Sequence, residues 1–149
     1  MAIVGRNPPD WLRERAAQIS GVQVFGNVPD VRPFLATSAM TVVPLRVGGG
    51  SRLKILESLA MGTPVVSTRV GAEGLRLEAG EHLTVTADES GMAEAILNEM
   101  TDPDAALDRA DEAQRFVLRE YDWAPLAEKL EEVWRVAVEM RATRPMASG

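Results

Sequence analysis

Short β-branched runs alternate with runs of helical period over most of this 149-residue sequence, and few folds accommodate that pattern. Ala2, Ile3 and Val4 predict a first strand, which breaks at Gly5 and the turn-rich Asn7-Pro8-Pro9-Asp10. Trp11, Leu12, Arg15, Ala16 and Ile19 then recur on one helical face until Ser20 and Gly21 stop them. Residues 22–25 read as a second strand, Asp30 as the cap of a short helix over 31–38, and residues 41–45 (TVVPL) as a third, buried strand. A helix over 52–61 places Leu53, Ile55, Leu56, Leu59 and Ala60 on its buried face and ends at Gly62, the left-handed stop. Residues 64–67 and 83–85 supply the fourth and fifth strands, and 89–100 returns to helix. Asp102 caps a helix with Pro103 at its first position, running to about Glu120. Asp122 caps a last helix, in which Leu126, Leu130, Val133, Ala137 and Met140 form one stripe.

Strands alternating with helices imply an α/β, Rossmann-like fold: a mainly parallel sheet with right-handed crossovers and helices on both faces. Ligands on such sheets bind at the carboxyl ends of the strands. Gly5, Gly26, the turn over 46–51 and the turn over 69–74 all follow strands, so they should gather at that edge.

Composition narrows the class. A chain that is 46% hydrophobic and 26% charged fits one globular domain over 1–149 with a sizeable core. A formal charge of −6 lacks the basic field of a nucleic-acid binder, so no nucleic acid is expected as partner. The absence of cysteine removes disulfides, thiolate metal sites and cysteine nucleophiles, and suits a reducing cytoplasm. No apolar stretch reaches the roughly 18 residues of a membrane span, and MAIVGRNPPDW has no signal-peptide pattern. The expectation is a soluble, cytoplasmic protein.

The stretch GGGSRLKILESLAMGTPVVST, residues 48–68, carries the chemistry. A glycine turn at a helix start leaves unpaired backbone N–H groups that favour an oxyanion, with Ser51 as the natural N-cap. Helical spacing sets Lys54, Glu57 and Ser58 opposite Leu56. Arg52 offers a planar fork and Lys54 a point charge to an anion. A carboxylate one turn further in, Glu57, accepts two hydrogen bonds from a vicinal diol such as a ribose. Phosphate at the amides and sugar hydroxyls at Glu57 together describe a nucleotide. The residues alone leave another reading open, in which the glycines form only a flexible turn and Lys54 with Glu57 an i,i+3 surface pair.

Residues 43–75, VPLRVGGGSRLKILESLAMGTPVVSTRVGAEGL, resemble the donor-nucleotide segment of retaining GT-B glycosyltransferases of the family-four, or group 1, type. IVGRNPP (3–9), VFGNVPDVRPFLATS (24–38) and YDW (121–123) resemble the same family in the same order. The resemblance implies binding of a nucleotide-diphosphate sugar and transfer of its hexosyl group to an unknown acceptor with retained configuration, without a cofactor. It places Glu57 on the ribose, the amides of Gly49, Gly50, Ser51 and Arg52 on the diphosphate or sugar, and the loop of Gly26, Asn27 and Val28 against the base.

Two departures limit what carries over. Many members hold a second glutamate eight positions before the first, where this sequence has Gly49, so no donor-sugar contact is assigned there. Members also have an N-terminal acceptor domain, and a first donor-domain strand whose loop supplies Arg and Lys to the diphosphate. Neither has a counterpart here, which leaves Arg52 and Lys54 as the local cations and implies little turnover by this chain alone. The missing strand lies centrally in the implied sheet, between those at 2–4 and 41–45. Either those two pair directly or a second chain covers the gap, giving a possible homo-oligomer.

A nicotinamide-dependent oxidoreductase domain is the main alternative, but its third glycine would fall at Leu53 and no acidic residue ends the next strand, at Thr68-Arg69. A Walker loop fails for want of Gly-Lys-Ser/Thr. A non-catalytic nucleotide-binding or interaction module differs only in whether anything is transferred. The single histidine, His82, has no partners for a transition metal and reads as structural. Glu73 reads equally as a ligand-edge residue or as part of a turn. Trp123 and Trp134 read as packing residues, and the acidic helix faces as solvated surface.

Overall fold

The computed structural model describes residues 1–142. The elements follow in the order β1 (Ala2–Gly5), α1 (Asp10–Ala17), β2 (Gln23–Gly26), α2 (Arg32–Ala36), β3 (Thr41–Val43), α3 (Leu53–Ala60), β4 (Val65–Thr68), α4 (Arg69–Ala72), β5 (Thr84–Thr86), α5 (Met92–Thr101), α6 (Pro103–Glu120) and α7 (Trp123–Ala142). The expected α/β alternation is therefore present. The strands at 41–45 and 64–67 begin and end differently from the expectation, because Pro44 has no N–H to extend a ladder and Thr68 adds one more rung opposite Thr86.

Every strand pairing is parallel, but the strands form two sheets, β1-β2 and β3-β4-β5. Ile3 lies opposite Val24 in the first, and Val66 opposite both Val42 and Thr84 in the second. Among the described residues β1 and β3 each keep one unpaired edge, and the direct pairing of the two that the sequence left open is not formed. β4 is buried along its whole length, as befits a strand flanked on both sides within a parallel sheet.

The core joins the three-stranded sheet to α3 and α6: Val43, Ile55, Leu59, Val65, Leu83, Ala113 and Val117 form one buried cluster. Burying each of its Val, Leu and Ile side chains contributes about 1.5–3 kcal/mol. Ala106, Ala110, Ala113 and Val117 line the inner face of α6, and these small residues let α6 approach α3 closely enough for Gln114 Nε2 to donate to the Ala60 carbonyl at 2.8 Å. Asp102 caps α6 as expected, its carboxylate accepting from Ala105 N–H at 3.1 Å.

Several faces differ from the periodicity reading. Ser58, expected on the polar face of α3, is fully buried, whereas Leu53 is exposed. Ser58 Oγ donates to the Lys54 carbonyl at 2.7 Å and meets Thr41 Oγ1 at 3.0 Å, and these partners offset the cost of burying a hydroxyl. Asp30 does not cap α2, whose N-cap is Val31; its carboxylate instead accepts from Arg32. Trp11 on α1 and Ile19 just beyond its end are exposed, and only Ala16 of the expected face is fully buried. Leu126, Leu130, Val133 and Met140 lie along α7 as an exposed stripe, and Trp123 and Trp134 are exposed rather than packed. Lys129 Nζ holds α7 to Glu120 at 3.1 Å.

Candidate functional site

The loops that follow β3 and β4 meet at the carboxyl edge of the three-stranded sheet. Thr68, the last residue of β4, joins them: its hydroxyl donates to the Leu45 carbonyl at 2.6 Å and accepts from Gly71 N–H at 3.1 Å, which caps α4. Sequence reading passed over this residue, although a threonine ending a strand before a short helix is an N-cap signal. Arg46 Nε pairs with Glu89 at 2.7 Å and so closes the far side of the same edge.

Between them the glycine turn forms a depression of about 330 Å³ lined by Leu45, Val47, Gly48, Gly49, Gly50, Ser51, Arg52, Leu53 and Lys54. The N-cap of α3 is Arg52, not the expected Ser51, and no side chain caps the helix. Gly50 has φ +103° and Arg52 φ +50°, so the chain enters the helix through two left-handed residues, the first of which suits glycine. That path turns the Arg52 side chain inward, where Nη2 donates to the Gly48 carbonyl at 2.9 Å. Its guanidinium closes the turn, with Glu73 Oε2 3.8 Å away.

The backbone N–H groups of Gly49, Gly50, Ser51 and Arg52 have no protein acceptor among the described residues. They stand at the positive end of the α3 dipole, where an anion is stabilised. Lys54 is exposed and makes no ion pair among the described residues, and Arg69 at the start of α4 is likewise exposed and unpaired. Arg69 is a cation at this edge that the sequence reading did not single out.

Glu57 is exposed one turn into α3, about 6 Å along the axis from Leu53. It opens on a second depression, about 360 Å³, shared with Pro29, Asp30, Val31, Arg32, Ala60 and Met61. The Arg32 guanidinium holds the Asp30 carboxyl below its usual range and keeps it anionic there. The loop after β2 thus reaches the α3 face that bears Glu57, with Val28 immediately ahead of Pro29. Gly26 and Asn27 are engaged differently. The Pro8 ring and the Arg13 guanidinium lie against Gly26, a Cβ there coming 2.9 Å from the proline. Asn27 Oδ1 accepts from Asn7 N–H at 2.9 Å, tying the β1 and β2 loops together.

His82 is buried, accepts from Glu78 N–H through Nδ1 at 2.9 Å and packs on the Phe116 ring at 4.5 Å, a structural role. No group of three or more His, Cys, Asp or Glu that could hold a metal occurs among the described residues, and no described helix is long and apolar enough to cross a membrane.

Comparison with known proteins bears on the family and the fold. The sequence model of the family described as glycosyl transferases group 1 matches residues 1–102. A phosphatidyl-myo-inositol mannosyltransferase of Mycobacterium leprae is 28% identical over 99% of this chain and 41% of its own length. A glycogen synthase of Mycobacterium tuberculosis is 32% identical over 57% of this chain and 21% of its own length. Anabaena Alr3699/HepE, solved in complex with UDP, superposes with a TM-score of 0.79 at 19% identity, over 91% of this chain and 40% of that one. The chain thus spans about two fifths of the length of the mannosyltransferase and of HepE.

Proposed function

The chain belongs to the group 1 glycosyl transferases, and from that premise we propose that residues 1–149 form a single donor-binding domain, which holds a nucleotide-diphosphate sugar for transfer of its hexosyl group with retention. The nicotinamide-binding alternative falls with that membership. The observation that carries the reading is the α3 N-terminus, with four unpartnered amides at the glycine turn and Glu57 one turn away on an open face. The complexes of HepE with UDP and with UDP-glucose support the same class of ligand.

In this reading the amides of Gly49, Gly50, Ser51 and Arg52 receive the diphosphate, Lys54 and the Arg52 guanidinium supply positive charge, and Glu57 accepts from the ribose hydroxyls. The Gly26, Asn27 and Val28 loop, continued by Pro29 to the Glu57 depression, borders the base. These groups orient the donor and stabilise charge as it develops on the leaving diphosphate, and both effects lower the barrier without a protein nucleophile. The acceptor is expected to bind polypeptide outside these residues, so turnover by this chain alone is expected to be slight.

The test is calorimetric titration of the chain with UDP, GDP and ADP and their glucose and mannose conjugates, with NAD as control. One nucleoside diphosphate should bind in preference to NAD. Equal or stronger binding of NAD would overturn the reading.

A further inference from the structure

Arg52 is in an unusual position for a cation beside an anion site. Its side chain is 7% exposed, and its Nε is buried without a hydrogen-bond partner. Nη2 is held by the Gly48 carbonyl at 2.9 Å, and Glu73 Oε2 lies 3.8 Å from the same nitrogen. Nε and Nη2 form one edge of the guanidinium, the edge that grips two oxygens of a carboxylate or a phosphate side by side. Half of that edge is unsatisfied. An unpaired donor on a buried cation is destabilising, and so is a left-handed backbone at a residue other than glycine. Both occur together at the first residue before α3, where the helix dipole already favours an incoming oxyanion.

Glu73 is the one carboxylate paired with this guanidinium among the described residues. It follows α4, on the loop across the edge from the glycine turn, and its side chain is 74% exposed. At 3.8 Å it balances the charge of Arg52 without closing on the free Nε.

We propose that Glu73 is a built-in competitor for the oxyanion at the α3 N-terminus: its carboxylate neutralises Arg52 while the turn is empty, and a diphosphate oxygen displaces it on binding. This rests on the reading of the turn as a diphosphate site. The exchange substitutes one oxyanion for another on the same guanidinium edge, satisfies the orphaned Nε and frees the Glu73 loop from the turn. Donor binding is thereby coupled to the loop that follows α4, and part of the intrinsic affinity for the anion is withheld.

The test is titration of the wild type, Glu73→Gln, Arg52→Gln and the double variant with inorganic pyrophosphate and with UDP at low salt, circular dichroism confirming the fold of each. Glu73→Gln should bind pyrophosphate about two- to fivefold tighter, the range for an ion pair whose carboxylate is solvated, and the gain should shrink with added salt. The gain should vanish in the Arg52→Gln background. Should Arg52→Gln not fold, the 15N-resolved Nε–H signal of Arg52 serves instead, shifting on pyrophosphate addition at lower concentration in Glu73→Gln than in the wild type. Unchanged or weaker binding by Glu73→Gln, or a gain that persists without Arg52, would overturn the competition. UDP binding that depends on Glu57 but not on Glu73 would leave the donor reading standing while the competition falls. Failure of both probes with every variant would overturn both.

Discussion

Ser58 and Thr41 meet at 3.0 Å between their hydroxyl oxygens, and this contact sets the rotation of α3 against β3. With Ser58 turned to the sheet, the preceding residue, Glu57, faces outward toward Pro29 and Arg32. Ser58→Ala leaves the Thr41 hydroxyl without this partner and should lower stability by about 0.5–1.5 kcal/mol, read from urea unfolding. A variant as stable as the wild type would show that packing alone orients the helix.

Glu99 anchors α5 to α6. It is buried, accepts from Arg109 Nη2 at 2.6 Å through both oxygens, and accepts from the Thr84 hydroxyl. Glu99→Ala strands a largely buried guanidinium and should cost about 3 kcal/mol, the lower end for a broken buried pair because Arg109 still touches water. A shift in the urea midpoint without a change in slope is the expected signature.

Glu120 ties α7 and the loop before β5 to α6. Lys129 and Arg76 hold its carboxyl below the usual range. A folded-state pKa lowered in this way stabilises the protein above the unfolded value and loses that contribution as pH falls through the folded one. Glu120→Gln should therefore melt below the wild type at neutral pH, and the two should converge on acidification beneath the ordinary carboxylate range. A difference that persists there would place the effect in packing.

The unpaired edges of β1 and β3 and the exposed stripe of α7 predict self-association of the isolated chain. Light scattering over a dilution series should show mass rising with concentration. A monomer at every concentration would contradict this.

Nucleotide binding should survive chelation, because helix-end amides with Lys54 and Arg52 take the place of a divalent ion in this account. Binding abolished by EDTA and restored by magnesium would refute that division of labour.

The order of elements was legible because each buried strand or helix leaves its period in the sequence. α4 was missed because its four residues, Arg69–Ala72, are too few to show a period and depend on Thr68 for their cap. Ser58 was assigned to the wrong face because periodicity reads only polarity and cannot foresee a hydroxyl partner on β3. Trp11, Trp123 and Trp134 are apolar yet exposed, since a stripe in sequence says which residues share a face but not whether anything covers it. The glycine turn ahead of α3 and the exposed position of Glu57 on that helix were legible from residue type and spacing. The inward course of Arg52 was not, because it follows from a left-handed backbone at a residue that ordinarily avoids one.

The most direct test of the central claim is calorimetric titration of UDP, or whichever nucleoside diphosphate binds best, into the wild type and Glu57→Ala. Glu57 is exposed and makes no ion pair among the described residues, so its removal should leave the circular dichroism spectrum unchanged. The account predicts binding weakened by about 1–3 kcal/mol, the scale of hydrogen bonds to a charged group. Equal affinity in the two proteins would contradict it.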